Sequence, residues 1–151
     1  MKVIFLDIDG VLNSKDFFNK RKERGGKHHQ FDPECVKLLN DITDSTNALI
    51  VISSSWRVVH DFDELTKLLH DVGIKGKIIG KTERLDIFDY GPAPRGVEIQ
   101  DYLNRKKLIK NYIILDDDTD MLYSQRQHFF NTSWETGLTR ELTNRIIKFL
   151  K

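Results

Sequence analysis

The most constraining feature of this sequence is a set of short, continuously apolar runs that alternate with amphipathic stretches. The runs are 3–6, 48–52, the weaker 77–79, 112–115 and the fifth candidate 128–130. Runs that are apolar throughout are typical of strands buried on both faces. Strands that alternate with helices form βαβ units, in which helices cover both faces of a parallel sheet. We therefore predict an α/β fold, a three-layer sandwich around a mostly parallel five-stranded sheet.

Helix signals fill the intervals between these runs. Asp32-Pro33 combines an N-cap residue with proline at the first helical position. The stretch 61–72 carries apolar residues at spacings near three and four, and 96–107 and 139–150 are two further candidates. A chain of 151 residues with 39% hydrophobic residues can build a core without disulfides. We expect a single domain over residues 1–151.

The segment 13–30 departs from this alternation. Residues 14–30 contain six Lys or Arg and two Asp or Glu, which gives a local net charge of +4. We predict an exposed basic flap over 13–30. Its cations are either solvated surface or contacts for a phosphate-rich polymer. The candidates for such contacts are Lys20, Arg21, Lys22, Arg24 and Lys27.

Composition narrows the functional classes. The net charge is only +1, so the chain as a whole does not attract nucleic acid strongly. Its one cysteine, Cys35, cannot form an internal disulfide, which favours a reducing compartment. No apolar run is long enough to span a membrane, and Asp7 interrupts the first run before a signal-peptide core could form. We expect a cytoplasmic protein with no membrane partner and no disulfide partner.

Polar residues follow three of the predicted strands. Asp7 and Asp9 follow the first, Ser53 follows the second, and Asp116 and Asp117 follow the fourth. Ligands bind beyond the carboxyl ends of such strands. Crowded carboxylates repel one another, and a bound divalent cation removes that conflict. Oxygen ligands favour Mg²⁺, so the four aspartates are candidate ligands of a magnesium site.

This chemistry suits phosphoryl transfer. A carboxylate can attack phosphorus to form an aspartyl-phosphate. A second carboxylate can protonate the leaving group and then deprotonate the incoming water. Asp7 and Asp9 are spaced to divide these tasks, and Gly10 allows a tight turn directly after them.

Three motifs resemble those of the haloacid dehalogenase (HAD) superfamily. Residues 3–12 resemble its first motif, DxDG after a hydrophobic strand, and 50–53 resemble the second, Ser or Thr at a strand end. Residues 114–117 resemble the fourth, paired acids at a strand end. The resemblance implies a Rossmann-like fold, here without a large cap domain, and a Mg²⁺-dependent phosphatase.

The resemblance also implies a role for each polar residue. Asp7 would be the nucleophile, and Asp9 the general acid and base, with its backbone carbonyl also on the metal. Ser53 would hydrogen-bond the phosphoryl group. Asp116 would ligate Mg²⁺, with Asp117 beside it directly or through water. An acid at position 9 favours phosphoryl transfer over dehalogenation.

The third motif of the superfamily supplies a Lys or Arg that steadies the nucleophile and the phosphate. Arg95 stands at the start of the helix before the fourth strand, where the family places this cation. Arg57 and Lys81 are rivals for the role. Arg57 is a candidate phosphate ligand in either case, because its fork of donors suits phosphate oxygens.

At finer grain, the chain resembles HAD domains of multidomain RNA-repair proteins. The segments 53–57, 95–99 and 115–117 carry this likeness. It implies a terminal phosphate on RNA or DNA, or a nucleotide, as substrate. Two alternatives remain: a phosphatase for small metabolites such as sugar phosphates, and a catalytically silent module that binds Mg²⁺ and an RNA end.

Overall fold

The computed structural model describes residues 1–21, 30–86 and 90–151. Five strands form one sheet in the order β3-β2-β1-β4-β5, and each adjacent pair is parallel. The predicted α/β fold is confirmed, with a sheet that is entirely parallel. The strands are β1 Lys2–Leu6, β2 Leu49–Ile52, β3 Ile78–Lys81, β4 Asn111–Asp116 and β5 Phe129–Asn131.

The four predicted helices are present as α2, α4, α5 and α6, and two short helices, α1 and α3, were not predicted. They are α1 Lys15–Lys20, α2 Pro33–Thr46, α3 Trp56–Val59, α4 Phe62–Asp71, α5 Arg95–Arg105 and α6 Arg140–Leu150, and a 3₁₀ turn covers Tyr123–Gln125. The N-cap side chains of Asp32 and Thr139 accept backbone hydrogen bonds as their residue types predict. Of the two unpredicted helices, α1 lies within the predicted basic flap, where Ser14 caps it.

Apolar side chains cover both faces of the sheet, as strands that are apolar throughout require. One buried cluster includes Ile4 and Leu6 of β1 with residues of α2, α4 and α6. A second cluster includes Val3 and Phe5 of the same strand with residues of α5. Cys35 lies in the first cluster as a buried free thiol. The molecule is thus a three-layer sandwich.

In the described parts of the chain, the intervals between these elements contain no inserted domain. The longest, 7–32, contains only α1 among its described residues, and the interval 82–94 contains no named helix or strand in its described part. Both are too short for a domain of their own. In the flap, Lys20 ends α1 and the Arg21 guanidinium lies 4.4 Å from the ring centroid of Phe18. Lys22, Arg24 and Lys27 lie outside the described residues.

None of the helices in the described ranges combines the length and the apolar character that crossing a membrane requires.

Candidate active site

The register of the sheet brings three polar residues to one point. The last residue of β1 pairs with Ile52 of β2 and with Leu115 of β4. The next residue of each strand, namely Asp7, Ser53 and Asp116, therefore stands at the carboxyl edge of the sheet centre. Backbone hydrogen bonds continue past the strand ends, from Asp7 N to the Leu115 carbonyl (3.0 Å) and from Ser53 N to the carbonyl before Asp7 (2.8 Å).

Three carboxylates form a compact cluster at this edge. Asp7, Asp116 and Asp117 each offer one oxygen, and these oxygens all lie within 4.8 Å of one another. Burial and the charge of Asp116 raise the pKa of Asp7 from 3.8 to about 7. Burial also raises the pKa of Asp116 and of Asp117, each to about 6. Burial is the main cause of all three shifts, and a neighbouring carboxylate adds to each of them.

Arg95 is the cation that faces this cluster. It begins α5, and its Nη1 lies 3.1 Å from Asp116 Oδ2 and 3.5 Å from Asp7 Oδ1. One guanidinium opposite three carboxylates leaves net negative charge in a largely buried site. The donors are all carboxylate oxygens, the ligand type that hard divalent cations take. Asp7, Asp116 and Asp117 therefore fit a metal ion.

Asp9 lies outside this cluster. Its carboxylate is exposed, and it accepts hydrogen bonds from Asn13 Nδ2 and from Trp56 Nε1, both at 2.9 Å. The structure therefore does not bring the Asp9 carboxylate together with those of Asp7, Asp116 and Asp117. A metal contact through the backbone carbonyl of Asp9 stays a prediction, as does its role in proton transfer.

Gly10 has two reasons to be glycine. Its φ of +80° lies in the left-handed region. A Cβ at this position would also overlap the side chain of Asp117. The Gly10 carbonyl accepts a 2.6 Å hydrogen bond from Thr132 Oγ1, which ties this turn to the segment after β5. The turn after β1 and the acid after β4 are therefore in direct contact.

Ser53 carries an unsatisfied hydroxyl. The residue is fully buried, and its Oγ has no hydrogen-bond partner in the described part of the chain. Leaving a buried hydroxyl unpaired costs about 1–3 kcal/mol. A ligand oxygen at the strand ends would satisfy it, which is what the predicted contact with a phosphoryl group requires.

Arg57 lies near the site but uses its donors within the protein. Its Nε donates to the Thr82 carbonyl (3.0 Å), its Nη1 to the Ser54 carbonyl (2.8 Å), and its Nη2 to Glu98 Oε1 (2.7 Å). The side chain is only 5% exposed. A phosphate contact for Arg57 stays a prediction, and this geometry favours a structural role.

The other two candidates for the third-motif cation differ in position. Lys81 ends β3, which β2 separates from β1. Arg95 contacts both Asp7 and Asp116. The geometry thus favours Arg95 over Lys81 and Arg57.

Comparison of the sequence with models of protein families identifies the family of this chain. A family model described as "HAD domain in Swiss Army Knife RNA repair proteins" matches residues 3–142 of the 151. The chain belongs to this family. No curated protein and no solved structure matches it. The HAD domain shows no cap within residues 1–21, 30–86 and 90–151, and its family places it among hydrolase-type domains.

Sequence reasoning missed three residues that organise this HAD site. Asn13 and Trp56 hold the carboxylate of Asp9. Glu98 accepts a hydrogen bond from Nη2 of Arg57 and is only 3% exposed. The signal for Glu98 was a charged residue on the face of α5 that packs against the sheet, three positions after Arg95. Asn13 and Trp56 carried no comparable signal, because neutral side chains are common in loops and helix starts.

Proposed function

We propose that this HAD domain is a Mg²⁺-dependent phosphomonoester hydrolase that works through an aspartyl-phosphate on Asp7. The observation that carries the proposal is the buried cluster of Asp7, Asp116 and Asp117 with Arg95 against it. Asp7, Asp116 and Asp117 would hold the ion. Bound there, Mg²⁺ would neutralise charge on the carboxylates and on the phosphoryl oxygens.

The protein groups divide the reaction as follows. Asp7 attacks phosphorus, the bond from phosphorus to the leaving oxygen breaks, and Asp9 gives that oxygen its proton. Asp9 then takes a proton from water, which attacks the phosphorus of the aspartyl-phosphate. This step releases inorganic phosphate and restores the Asp7 carboxylate. Arg95 and Ser53 hold the phosphoryl oxygens, so that catalysis rests mainly on positioning and charge neutralisation.

The substrate we propose is a terminal phosphate on RNA or DNA, or a nucleotide. The name of the family refers to RNA repair, which supports this class. Lys20 and Arg21 add positive charge in the interval between β1 and α2, the same interval that contains Asp7 and Asp9. Cations of this kind neutralise backbone phosphates, and binding through them weakens as salt rises.

A phosphate-release assay tests the proposal. The substrates are 3′- and 5′-phosphorylated oligonucleotides, nucleotides and sugar phosphates, each with Mg²⁺ and with a chelator. We expect turnover that needs Mg²⁺ and falls by about 10³-fold or more in Asp7→Asn, because this variant lacks the nucleophile. Asp44→Asn, which removes an exposed carboxylate of α2, is the matched control and should retain full activity.

The outcomes separate the competing functions. Equal rates for wild type and Asp7→Asn would refute the nucleophile. Turnover of sugar phosphates alone would favour the metabolite phosphatase. If wild type releases phosphate from no ester yet binds an oligonucleotide end with Mg²⁺, the chain is a silent binding module.

A further inference from the structure

A cleft of about 380 Å³ opens beside the proposed active site. Its lining includes residues of two segments, which we call its walls: Val58 and Val59 in α3, and Arg84, Pro92 and Ala93 in the interval between β3 and α5. Arg95 belongs to the lining as well, and its Nη1 contacts the carboxylates of Asp7 and Asp116. The cleft and the site are therefore continuous.

Both walls of the cleft are attached to the same buried side chain. Arg57, in α3, donates from Nη2 to Glu98 Oε1 at 2.7 Å. Leu85, the residue after Arg84 of the second wall, donates from its backbone N to Glu98 Oε2 at 2.9 Å. That wall is closed on itself by a hydrogen bond from Ala93 N to the Leu85 carbonyl (2.6 Å). The cleft is thus formed by anchored segments.

The rim of the cleft has an unusual chemistry for a surface beside a charged site. Val59 is 78% exposed and Val58 is 47% exposed. Arg84, which belongs to the second wall, has a side chain that is 50% exposed. A polar sugar gains little from exposed valines. A nucleobase has a flat apolar face, and such faces pack against apolar side chains and stack on arginine guanidinium planes.

We propose that this cleft binds the nucleoside attached to the phosphate that Asp7 attacks. The inference rests on the proposed function and assigns its substrate class to a place in the fold. The cleft volume lies within the range of about 300–1,000 Å³ that is usual for small-molecule sites. That volume is suited to one nucleotide, so the cleft would bind the terminal nucleotide of the substrate.

The test compares two classes of ester, nucleotides and glycerol phosphate, in two cleft variants and two control variants. Nucleoside 3′- and 5′-monophosphates are measured against glycerol phosphate, with kcat/KM as the readout. Val59→Asp and Arg84→Ala alter the cleft. Their matched controls are Leu108→Asp, at a position 73% exposed beyond α5, and Arg140→Ala, whose 54% exposed side chain is in a surface ion pair like that of Arg84.

We expect Val59→Asp to lower kcat/KM for the preferred nucleotide by about tenfold more than for glycerol phosphate, because a small change in an apolar pocket changes selectivity by at least this factor. Arg84→Ala should show the same selectivity, and both controls should match wild type on both esters. Equal losses on the two esters, no loss, or a wild type that hydrolyses glycerol phosphate but no nucleotide would overturn the cleft assignment while leaving the phosphatase in place.

A wild type inactive on both esters would count against the proposed function, and calorimetry then decides on the cleft. Adenosine monophosphate should bind wild type about tenfold more tightly than Val59→Asp. Equal affinity, or no binding to either protein, would overturn the inference.

Discussion

The carboxylate cluster should make the metal-free protein less stable than a variant that lacks its central charge. Asp7→Asn keeps the shape of the side chain and removes the charge. The pKa of Asp7 is raised from 3.8 to about 7. Each pKa unit corresponds to about 1.4 kcal/mol, so the charged Asp7 lowers the free energy of unfolding by about 4 kcal/mol at a pH above 7.

The sign of the pH dependence follows from the same values. Below pH 3.8 Asp7 is protonated in both the folded and the unfolded state, and it adds no pH dependence. Between pH 3.8 and about 7 the folded state binds the proton more tightly, so stability falls as pH rises. Above about pH 7 the full loss is present. Asp7→Asn removes this contribution, and its advantage over wild type should therefore grow from pH 5 to pH 8.

Urea unfolding in the presence of a chelator measures the effect at both pH values. Asp44→Asn is the control, because it removes one exposed carboxylate and should stay within about 0.5 kcal/mol of wild type. Added Mg²⁺ should stabilise wild type more at pH 8 than at pH 5, since protons and metal compete for the same oxygens. An Asp7→Asn protein that is no more stable than wild type at pH 8 in chelator would refute the reasoning.

Three further substitutions have defined outcomes. Glu98→Gln leaves the buried guanidinium of Arg57 without its counter-ion and should lower the free energy of unfolding by about 3 kcal/mol or more, measured in urea. Gly10→Ala places a Cβ in a left-handed backbone and against a site carboxylate, so it should cost more than about 1 kcal/mol in urea and lower phosphate release. Trp56→Phe removes the donor to Asp9 but keeps an aromatic ring. Because Asp9 is proposed to protonate the leaving oxygen, kcat should fall more for esters with poor leaving groups than for aryl phosphates. Equal losses on the two kinds of ester would count against the role of Trp56 in positioning Asp9.

Much of the site could be predicted from sequence because a parallel sheet converts strand order into proximity. The runs before Asp7, Ser53 and Asp116 are apolar throughout, so all three strands had to be internal. Internal parallel strands end at the same edge. Their polar successors must therefore meet, whatever the connecting segments do.

The remaining features depend on contacts that no local pattern encodes. The segment 13–30 reads as polar and basic, and α1 forms in it because Ser14 caps the turn and two phenylalanines follow. From its spacing alone, Asp9 is predicted to lie at the metal site together with Asp7. The chain turns at Gly10, however, and Asp9 is left exposed with Asn13 and Trp56 as its partners.

The choice between the two arginines is decided by a third residue. Arg57 and Arg95 both stand near the edge of the sheet, and both could in principle reach a phosphate. Glu98 lies 2.7 Å from the Nη2 of Arg57 and 3.9 Å from the Nε of Arg95. Arg57 donates its hydrogen bonds to Glu98 and to nearby carbonyls. The Nη1 of Arg95 instead contacts Asp7 and Asp116. Glu98, buried three positions after Arg95, thus binds the Arg57 guanidinium in the protein interior and leaves that of Arg95 at the site. An Arg followed by Glu at this spacing therefore has a physical basis, because the glutamate is the counter-ion of the second arginine.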